Sequence, residues 1–580
     1  MGVLKRRYRA GVTDTDAAQL RTLAEAWLAQ DPDPDTRAEL RDLLDAAEAK
    51  IDPAVPFDEA TPAAEPGAAI EELADRFSGK LEFGTAGLRG ALGAGPNRMN
   101  RVVVIRAAAG LCAYLKANGL TDGPVLIGYD ARHKSDVFAQ DTAAVVRGAG
   151  LDAVLLDRPT PTPVVAFGIP HLKAVAGVVV TASHNPPQDN GYKVYLGDGS
   201  QIVPPADVEI AAAIDAVGPL AEVPRGDDWQ TIGDDLLNAY LDRIATLVPA
   251  DAPRELKVVY TPLHGVGRDL VAKAVQRAGF AVPAVVASQA EPDPEFPTVS
   301  FPNPEEPGAI DAALELARST DADLAVANDP DADRCAVAVP DPAAEGGWRM
   351  LRGDELGGLL GEFLLSSRPE GVAACSIVSS SLLGRIAAAY DVDYLETLTG
   401  FKWIGRVPRL VFAYEEALGY CVDPVAVKDK DGISTLVRVL QLGAQAKAAG
   451  RTLLDLLDDL AIKYGLHATD QLSARVDDLS LIAAVMGRLR ATPPTSLGGH
   501  VVEQVDDLSE GVHLPPTEGL RYRLSDGARV IVRPSGTEPK LKCYLEVVIP
   551  VAGADVAAAR AQATRELAAI RGDLATAAGI

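Results

Sequence analysis

Apolar side chains return every three to four positions in two stretches between residues 14 and 50. Leu20, Leu23, Ala24, Trp27 and Leu28 form one stripe, and Leu40, Leu43, Leu44 and Ala47 the next. The spacing predicts two amphipathic helices parted by the turn-forming segment Asp31-Pro-Asp-Pro-Asp35. A polar, Pro-rich stretch over residues 52–67 reads as a linker, so residues 1–75 form a helical extension without chemistry of its own. Beyond it one pattern recurs: a short β-rich apolar run ends in a polar or Gly/Pro-rich loop, and an Ala-rich helical pattern usually follows. The runs lie at 125–130, 178–181, 256–260, 324–327, 374–378 and 410–414. Strands alternating with helices predict mixed or parallel α/β sheets, whose ligands gather at the strand C-terminal ends. The last hundred residues differ, with strand-like stretches at 500–505, 520–524, 528–533 and 541–548 and a closing Ala-rich helix, which predicts an α+β domain. The expected division is 1–75, then α/β domains over 76–255, 256–368 and 369–480, then the α+β domain over 481–580.

Composition narrows the function. A length of 580 residues suggests roughly four domains at about 150 residues each. With 48% hydrophobic and 23% charged residues, the chain is expected to pack as a globular protein. Its 55 Lys and Arg against 81 Asp and Glu give a net charge of −26. That balance repels phosphate backbones and anionic membrane surfaces, so neither nucleic acid nor membrane is expected as a partner, and an anionic ligand must meet locally placed cations. Cys112, Cys335, Cys375, Cys421 and Cys543 are widely spaced and form no CxxC pair, which fits a reducing compartment. The basic start (Lys5, Arg6, Arg7, Arg9) is followed by no apolar signal core, and no apolar run reaches the roughly 18 residues a membrane span needs. The expected location is cytoplasmic.

The loops carry the candidate chemistry. Thr181-Ala-Ser-His-Asn-Pro-Pro187 directly follows the apolar run ending at Val180. A hydroxyl on a tight turn at a strand end is exposed and rigidly aimed, which suits a nucleophile or phosphate carrier and singles out Ser183. An ordinary capped turn is the plain alternative. In Asp329-Pro-Asp-Ala-Asp-Arg334, three carboxylates stand two residues apart. Alternate residues of an extended loop point the same way, so the three can converge on one divalent cation, with Mg²⁺ the natural occupant. The EF-hand pattern fails, because Arg334 and Pro340 stand where it needs Gly and Glu. A solvated acidic turn is the plain alternative. Arg533-Pro-Ser-Gly-Thr-Glu-Pro-Lys540 can cradle a phosphate: Arg533 grips it in a fork, Ser535 and Thr537 offer hydroxyls, and Gly536 lets backbone N–H groups approach. Tyr414-Glu-Glu-Ala-Leu-Gly-Tyr420 offers carboxylates to sugar hydroxyls. Glu415 and Glu416 should diverge, so at most one of them reaches a ligand. Phe83-Gly-Thr-Ala-Gly-Leu-Arg-Gly90 and Thr399-Gly-Phe-Lys-Trp-Ile-Gly405 add Gly-rich, cation-bearing turns.

Together these residues resemble the α-D-phosphohexomutase superfamily, the phosphoglucomutases and phosphomannomutases, from about residue 75 to the C-terminus, with all four signature loops in order. The Phe83 and Gly400 loops, Asn190-Gly-Tyr-Lys-Val-Tyr195 and the helical extension look most like the phosphoglucomutase-2 and phosphopentomutase branch. The resemblance implies three similar mixed α/β domains and a smaller fourth around a central cleft. It implies Ser183 as the phosphorylated residue and Mg²⁺ held by Asp329, Asp331, Asp333 and a phosphoserine oxygen. Arg334, His184, Lys193 and Arg89 would lie near the transferring phosphoryl group, with Lys193 the general-base candidate. Lys402 and Glu415 would read the sugar, and Arg533, Ser535, Gly536 and Thr537 would bind the non-reacting phosphate. It implies transfer in two halves through a sugar bisphosphate, with glucose 1,6-bisphosphate as activator, by a monomer or homodimer.

One position departs from the family pattern: Ala417 stands where many glucose- and mannose-handling relatives place a serine hydroxyl. The leading expectation is a Mg²⁺-dependent phosphohexomutase interconverting sugar 1- and 6-phosphates, glucose first and mannose next. The alternative is a phosphopentomutase acting on ribose or deoxyribose 1-phosphate. A phosphosugar-binding protein without turnover is a third reading, against which the intact Ser183 and aspartate triad count.

Overall fold

The structure, a computed structural model, describes residues 14–48, 66–84, 87–475, 479–511, 514–534 and 540–580. They form two compact units. One comprises the described residues up to Asn238 with Leu263–Gly267 and Glu291–Ala309; the other comprises Ala239–Pro262, Arg268–Ala290 and the described residues from Ile310 onward.

The first unit begins with the helices Asp14–Gln30 and Pro34–Glu48, on either side of the expected break. Asp31 makes the turn: one carboxylate oxygen accepts the Asp33 N–H at 2.9 Å and the other the Thr36 hydroxyl at 2.7 Å. A further helix, Pro66–Phe77, starts inside the stretch read as a linker, of which residues 52–65 lie outside the described residues. Trp27, Leu40 and Leu73 join one core with Val102, Ile105 and Leu111 of the helix Arg101–Ala117, and Trp27 meets Phe77 edge-on at 6.3 Å. Each large side chain so buried contributes about 1.5–3 kcal/mol, so the extension shares the core of this unit. Leu23, at the edge of its stripe, is 43% exposed.

The sheet of this unit has the strand order Leu88–Ala91, Asp189–Leu196, Ala176–Val180, Val125–Tyr129, Ala153–Leu156, Gln230–Ile232. Its first two pairings are antiparallel and the other three parallel. The central strand Ala176–Val180 is flanked on both sides and buried throughout, which explains its continuous apolar run. Gly191 on the next strand permits close approach at the end of this strand: a Cβ there would lie 2.6 Å from the Thr181 carbonyl oxygen and 2.9 Å from that of Leu88.

The second unit contains three sheets. Trp348–Met350, Ala336–Pro340, Leu324–Ala327, Val258–Thr261 and Ala284–Val285 form one, and Asp393–Thr397, Val372–Ser376, Leu410–Glu415 and Gly419–Cys421 form another, both mixing parallel and antiparallel pairs. The last is antiparallel throughout, in the order Leu466–Arg475, Lys540–Ile549, Arg529–Pro534, Leu520–Leu524, His500–Asp507, Ser496–Leu497. Three mixed α/β sheets and a closing α+β sheet are thus the architecture the pattern predicts. The strand Leu466–Arg475 escapes the hydrophobic pattern because it is only half-buried along its length.

The closing sheet is tied to the loop after Val372–Ser376. Ile377 and Val378 pack on Ile531 and Tyr544. Beside them Arg529 donates to the Ile377 and Ser379 carbonyls and pairs with Glu546, which accepts from Ser380 and Ser381. This buried seam aligns the strand that carries Arg533. All five cysteines are buried free thiols. Among the described residues no helix is long and apolar enough to cross a membrane.

Candidate active site

In the first unit, Ser183 lies three residues past the end of the central strand, in the left-handed region at φ 52°, with its N–H donated to the Thr181 hydroxyl at 2.9 Å. It is 3% exposed, so the turn holds the serine in a buried position and not on the open surface expected of it. Its Oγ lies 3.3 Å from His184 Nδ1. Arg89, paired with Gly191 in the sheet, donates to the Asn185 side chain at 3.2 Å. Lys193 is buried on the neighbouring strand, opposite Val179. The sheet register thus places Lys193 on the strand next to the one that runs into the Ser183 turn, and Arg89 on the strand beyond it.

Sequence reasoning does not find Arg132, which is buried behind this turn. Its guanidinium donates to the carbonyls of Ser183, Asn185, Pro186 and Asp189. The signal was a strand ending in Asp130-Ala-Arg132, a charged pair too common at strand ends to single out.

In the second unit, Asp329, Asp331 and Asp333 follow the strand Leu324–Ala327 and are completely buried, with one carboxylate oxygen from each within 4.8 Å of the other two. The solvated-turn alternative is therefore wrong. Convergence also arises differently from the expected extended alternation. The loop turns through Ala332 at φ 53°, the Ala332 N–H reaches the Asp329 carbonyl at 2.8 Å, and the Arg334 N–H reaches the Asp329 carboxylate at 3.0 Å. Asn328 accepts from the Tyr260 hydroxyl at 2.9 Å and donates to the Arg334 carbonyl, closing the loop. Gly432 opens the helix Gly432–Ala448 against it, where a Cβ would lie 2.2 Å from the Arg334 carbonyl oxygen.

Two cations face the triad. Lys430 Nζ lies 3.2 Å from Asp333, and Arg334 Nε lies 3.8 Å from both Asp329 and Asp333. Burial pulls the Lys430 pKa down, but Asp333 and then Asp429 outweigh it and hold it above 10.5. Three buried carboxylates that converge offer hard oxygen ligands, a donor set that suits a small divalent cation. Lys430, missed by sequence reasoning, sits in the alternating run Lys428-Asp-Lys-Asp431, whose charges read equally well as a solvated face.

The sugar-loop candidates adjoin this triad. Arg334 bridges to Gly419 and donates to the Ala417 carbonyl at 3.0 Å. Glu415 accepts the Gly400 N–H at 2.6 Å, which joins it to the turn carrying Lys402. Glu416 instead accepts from Ser376 at 3.2 Å and Ser379 at 3.1 Å, so the two carboxylates diverge as expected. Burial raises both carboxyls, with Lys430 opposing it at Glu415 and Asp354 adding to it at Glu416. Arg533 stands opposite Lys542 in the closing sheet, near Tyr544, where its charge opposes the rise that burial imposes on the phenol. Ser535, Gly536 and Thr537 lie outside the described residues.

A buried serine on a strained turn and a buried carboxylate triad are parts suited to metal-assisted phosphoryl transfer. The chain matches the descriptions of phosphoglucomutase/phosphomannomutase alpha/beta/alpha domain I over residues 80–219, domain II over 238–345, domain III over 352–464 and the C-terminal domain over 473–563. It is 48% identical over 459 residues to the "Probable phosphomannomutase" of Haemophilus influenzae, covering 77% of this chain and 93% of that one. It is 35% identical over 541 residues to the phosphopentomutase of Homo sapiens, covering 84% and 88%. Its fold matches the crystal structure of a phosphoglucomutase/phosphomannomutase family protein from Burkholderia thailandensis at a TM-score of 0.65 and 21% identity, over 84% of this chain and 96% of that one. With all four domains matched in order, the chain belongs to the phosphoglucomutase/phosphomannomutase family and is a phosphotransferase of the mutase type.

Proposed function

We propose that the protein is a Mg²⁺-dependent phosphohexomutase that interconverts hexose 1- and 6-phosphates, glucose first and mannose next. Ser183 carries the phosphoryl group, gives it to the sugar monophosphate, and takes the other phosphoryl back from the bisphosphate after that intermediate has turned end for end. The observation that carries this reading is the triad, whose three buried carboxylates lie within 4.8 Å of one another and call for a divalent cation. Held by Asp329, Asp331 and Asp333, Mg²⁺ would supply positive charge against the oxygens of a transferring phosphoryl group. Arg334 and Lys430 add fixed positive charge beside the triad, and Arg89 and His184 add polar donors beside Ser183. Lys193 serves as base for the sugar hydroxyl, held desolvated on its strand. Glu415 and Lys402 accept and donate to sugar hydroxyls, while Arg533, Ser535, Gly536 and Thr537 hold the non-reacting phosphate. Glucose 1,6-bisphosphate primes Ser183.

Ala417 favours a second reading. Its methyl group makes no hydrogen bond to a hexose hydroxyl, and a relative of similar length is named a phosphopentomutase. In that case the substrates are ribose or deoxyribose 1-phosphates. A coupled assay with Mg²⁺ and a trace of glucose 1,6-bisphosphate, run in parallel on glucose, mannose and ribose 1-phosphates, separates the two. A higher kcat/KM on a hexose supports the first reading. Turnover confined to ribose 1-phosphate overturns it.

A further inference from the structure

We propose that Arg132 is the positioning residue of the Ser183 turn, a buried clamp that sets the direction of the serine hydroxyl through the backbone carbonyls around it. The proposal rests on the reading of Ser183 as phosphoryl carrier. Arginine presents five N–H donors in a rigid plane. Four of the bonds here reach loop carbonyls: Nη2 donates to Ser183 at 2.7 Å and to Asn185, and Nη1 to Pro186 at 2.8 Å and Asp189 at 3.1 Å. The remaining side, Nε, faces Asp130 at 3.4 Å, and both side chains are at most 2% exposed. Asp130 is itself held, accepting the Ser135 hydroxyl at 2.7 Å and the Arg132 N–H at 3.0 Å. The Phe296 ring lies beneath the guanidinium, 4.9 Å from its carbon. Arg132 is therefore fixed from below, from the side and along its plane before it touches the turn.

The turn needs such a partner. Asn185 and Pro186 are each followed by proline, so two of the clamped carbonyls belong to peptide units that have no N–H. The Pro186 carbonyl also accepts the Asp189 N–H at 3.1 Å, and Arg132 adds donors to it and to the carbonyls of Ser183, Asn185 and Asp189 from one planar group. The consequence reaches the reacting atoms. In a planar trans peptide the carbonyl of Ser183 and the N–H of His184 point in opposite directions, so drawing that carbonyl toward Arg132 turns the His184 N–H the other way. Ser183 sits at φ 52°, a conformation disfavoured for an L-residue and kept only where the surroundings over-determine it. Release of the carbonyls lets the backbone relax and re-aims the Oγ. A lysine cannot replace the clamp, because a compact ammonium has three donors and no plane to span four carbonyls.

The test uses the full chain and the sugar 1-phosphate it turns over best, comparing wild type, Arg132→Lys, Arg132→Ala with and without added guanidinium ion, and Ser183→Ala. Arg132→Lys keeps a cation beside Asp130 and should retain a cooperative thermal transition. Its kcat should fall about 100-fold while KM changes little, as expected when a reacting group is displaced by about 1 Å. Guanidinium ion should restore turnover to Arg132→Ala but not to Ser183→Ala, a recovery that a purely structural arginine would not show. A folded Arg132→Lys protein with wild-type kcat, beside an inactive Ser183→Ala protein, overturns the clamp and leaves the serine reading intact. An active Ser183→Ala protein overturns the serine reading and the clamp with it.

Discussion

Ser183 shows how much a single residue's setting alters its chemistry. Its hydroxyl is buried, rigid and within 3.3 Å of an imidazole nitrogen, so it cannot reorient freely as a surface serine does. Ser183→Ala should lower kcat by about 10³-fold or more, since removal of a nucleophile leaves only binding and electrostatic terms. The thermal midpoint should hold, because the contact of the hydroxyl with His184 is long, at 3.3 Å, and loss of one hydroxyl leaves the backbone of the turn in place. Near-normal turnover in that variant removes Ser183 from the mechanism. Arg533→Ala should instead appear in KM, raised about 10- to 150-fold by loss of a charge-assisted fork worth about 1.5–3 kcal/mol. An unchanged KM would place the non-reacting phosphate elsewhere. Both residues are legible in the sequence, because a hydroxyl or arginine in a Gly/Pro-rich loop after an apolar run stands out locally. Arg132 and Lys430 are not, since their roles depend on carbonyls and carboxylates far along the chain.

At the scale of elements, buried polar contacts fix how loops meet sheets. Asp354, in the first turn of the helix Gly353–Leu365, accepts the Ser380 N–H at 2.6 Å and the Tyr414 hydroxyl at 3.0 Å. Burial raises its carboxyl from the usual 3.8 to about 6, against the bond from Ser380. A carboxyl whose folded pKa lies above its unfolded value binds more protons when folded. Its contribution to stability is therefore largest below about pH 4 and declines as pH rises to about 6, by roughly 3 kcal/mol in all. Asp354→Asn keeps the acceptor oxygen and should remove that slope in denaturant titrations across the window; identical pH profiles for the two proteins would refute the assignment. Glu546 runs the opposite way. Burial raises its carboxyl, but Arg529 and His467 more than offset that and lower it, so its stabilisation holds above about pH 4 and is lost in more acidic solution. Strand positions were mostly legible, because β-rich runs bounded by turn residues are local signals. Leu466–Arg475 was not, since a half-buried strand alternates too weakly to read.

For the whole molecule, a net charge of −26 makes local cations and metal ions decisive. The three buried carboxylates converge within metal-binding reach, so Mg²⁺ should stabilise the folded chain by about 2.7 kcal/mol at a hundredfold excess over its Kd. Thermal midpoints should climb with Mg²⁺ and drop on chelation, and Asp331→Asn should flatten that response. A wild-type midpoint indifferent to Mg²⁺ would count against the triad as a metal site. The sequence alone determined the family, the alternation of strands and helices, and the loops in which the candidate chemistry sits, because periodicity and turn chemistry are written within a few neighbouring residues. Only the tertiary structure decided that the triad and Ser183 are buried, which partners Glu415 and Glu416 reach, and that Lys430 stands beside the triad and Arg132 behind the Ser183 turn. Burial and charge compensation depend on what distant segments bring to the same place, and no local pattern encodes that.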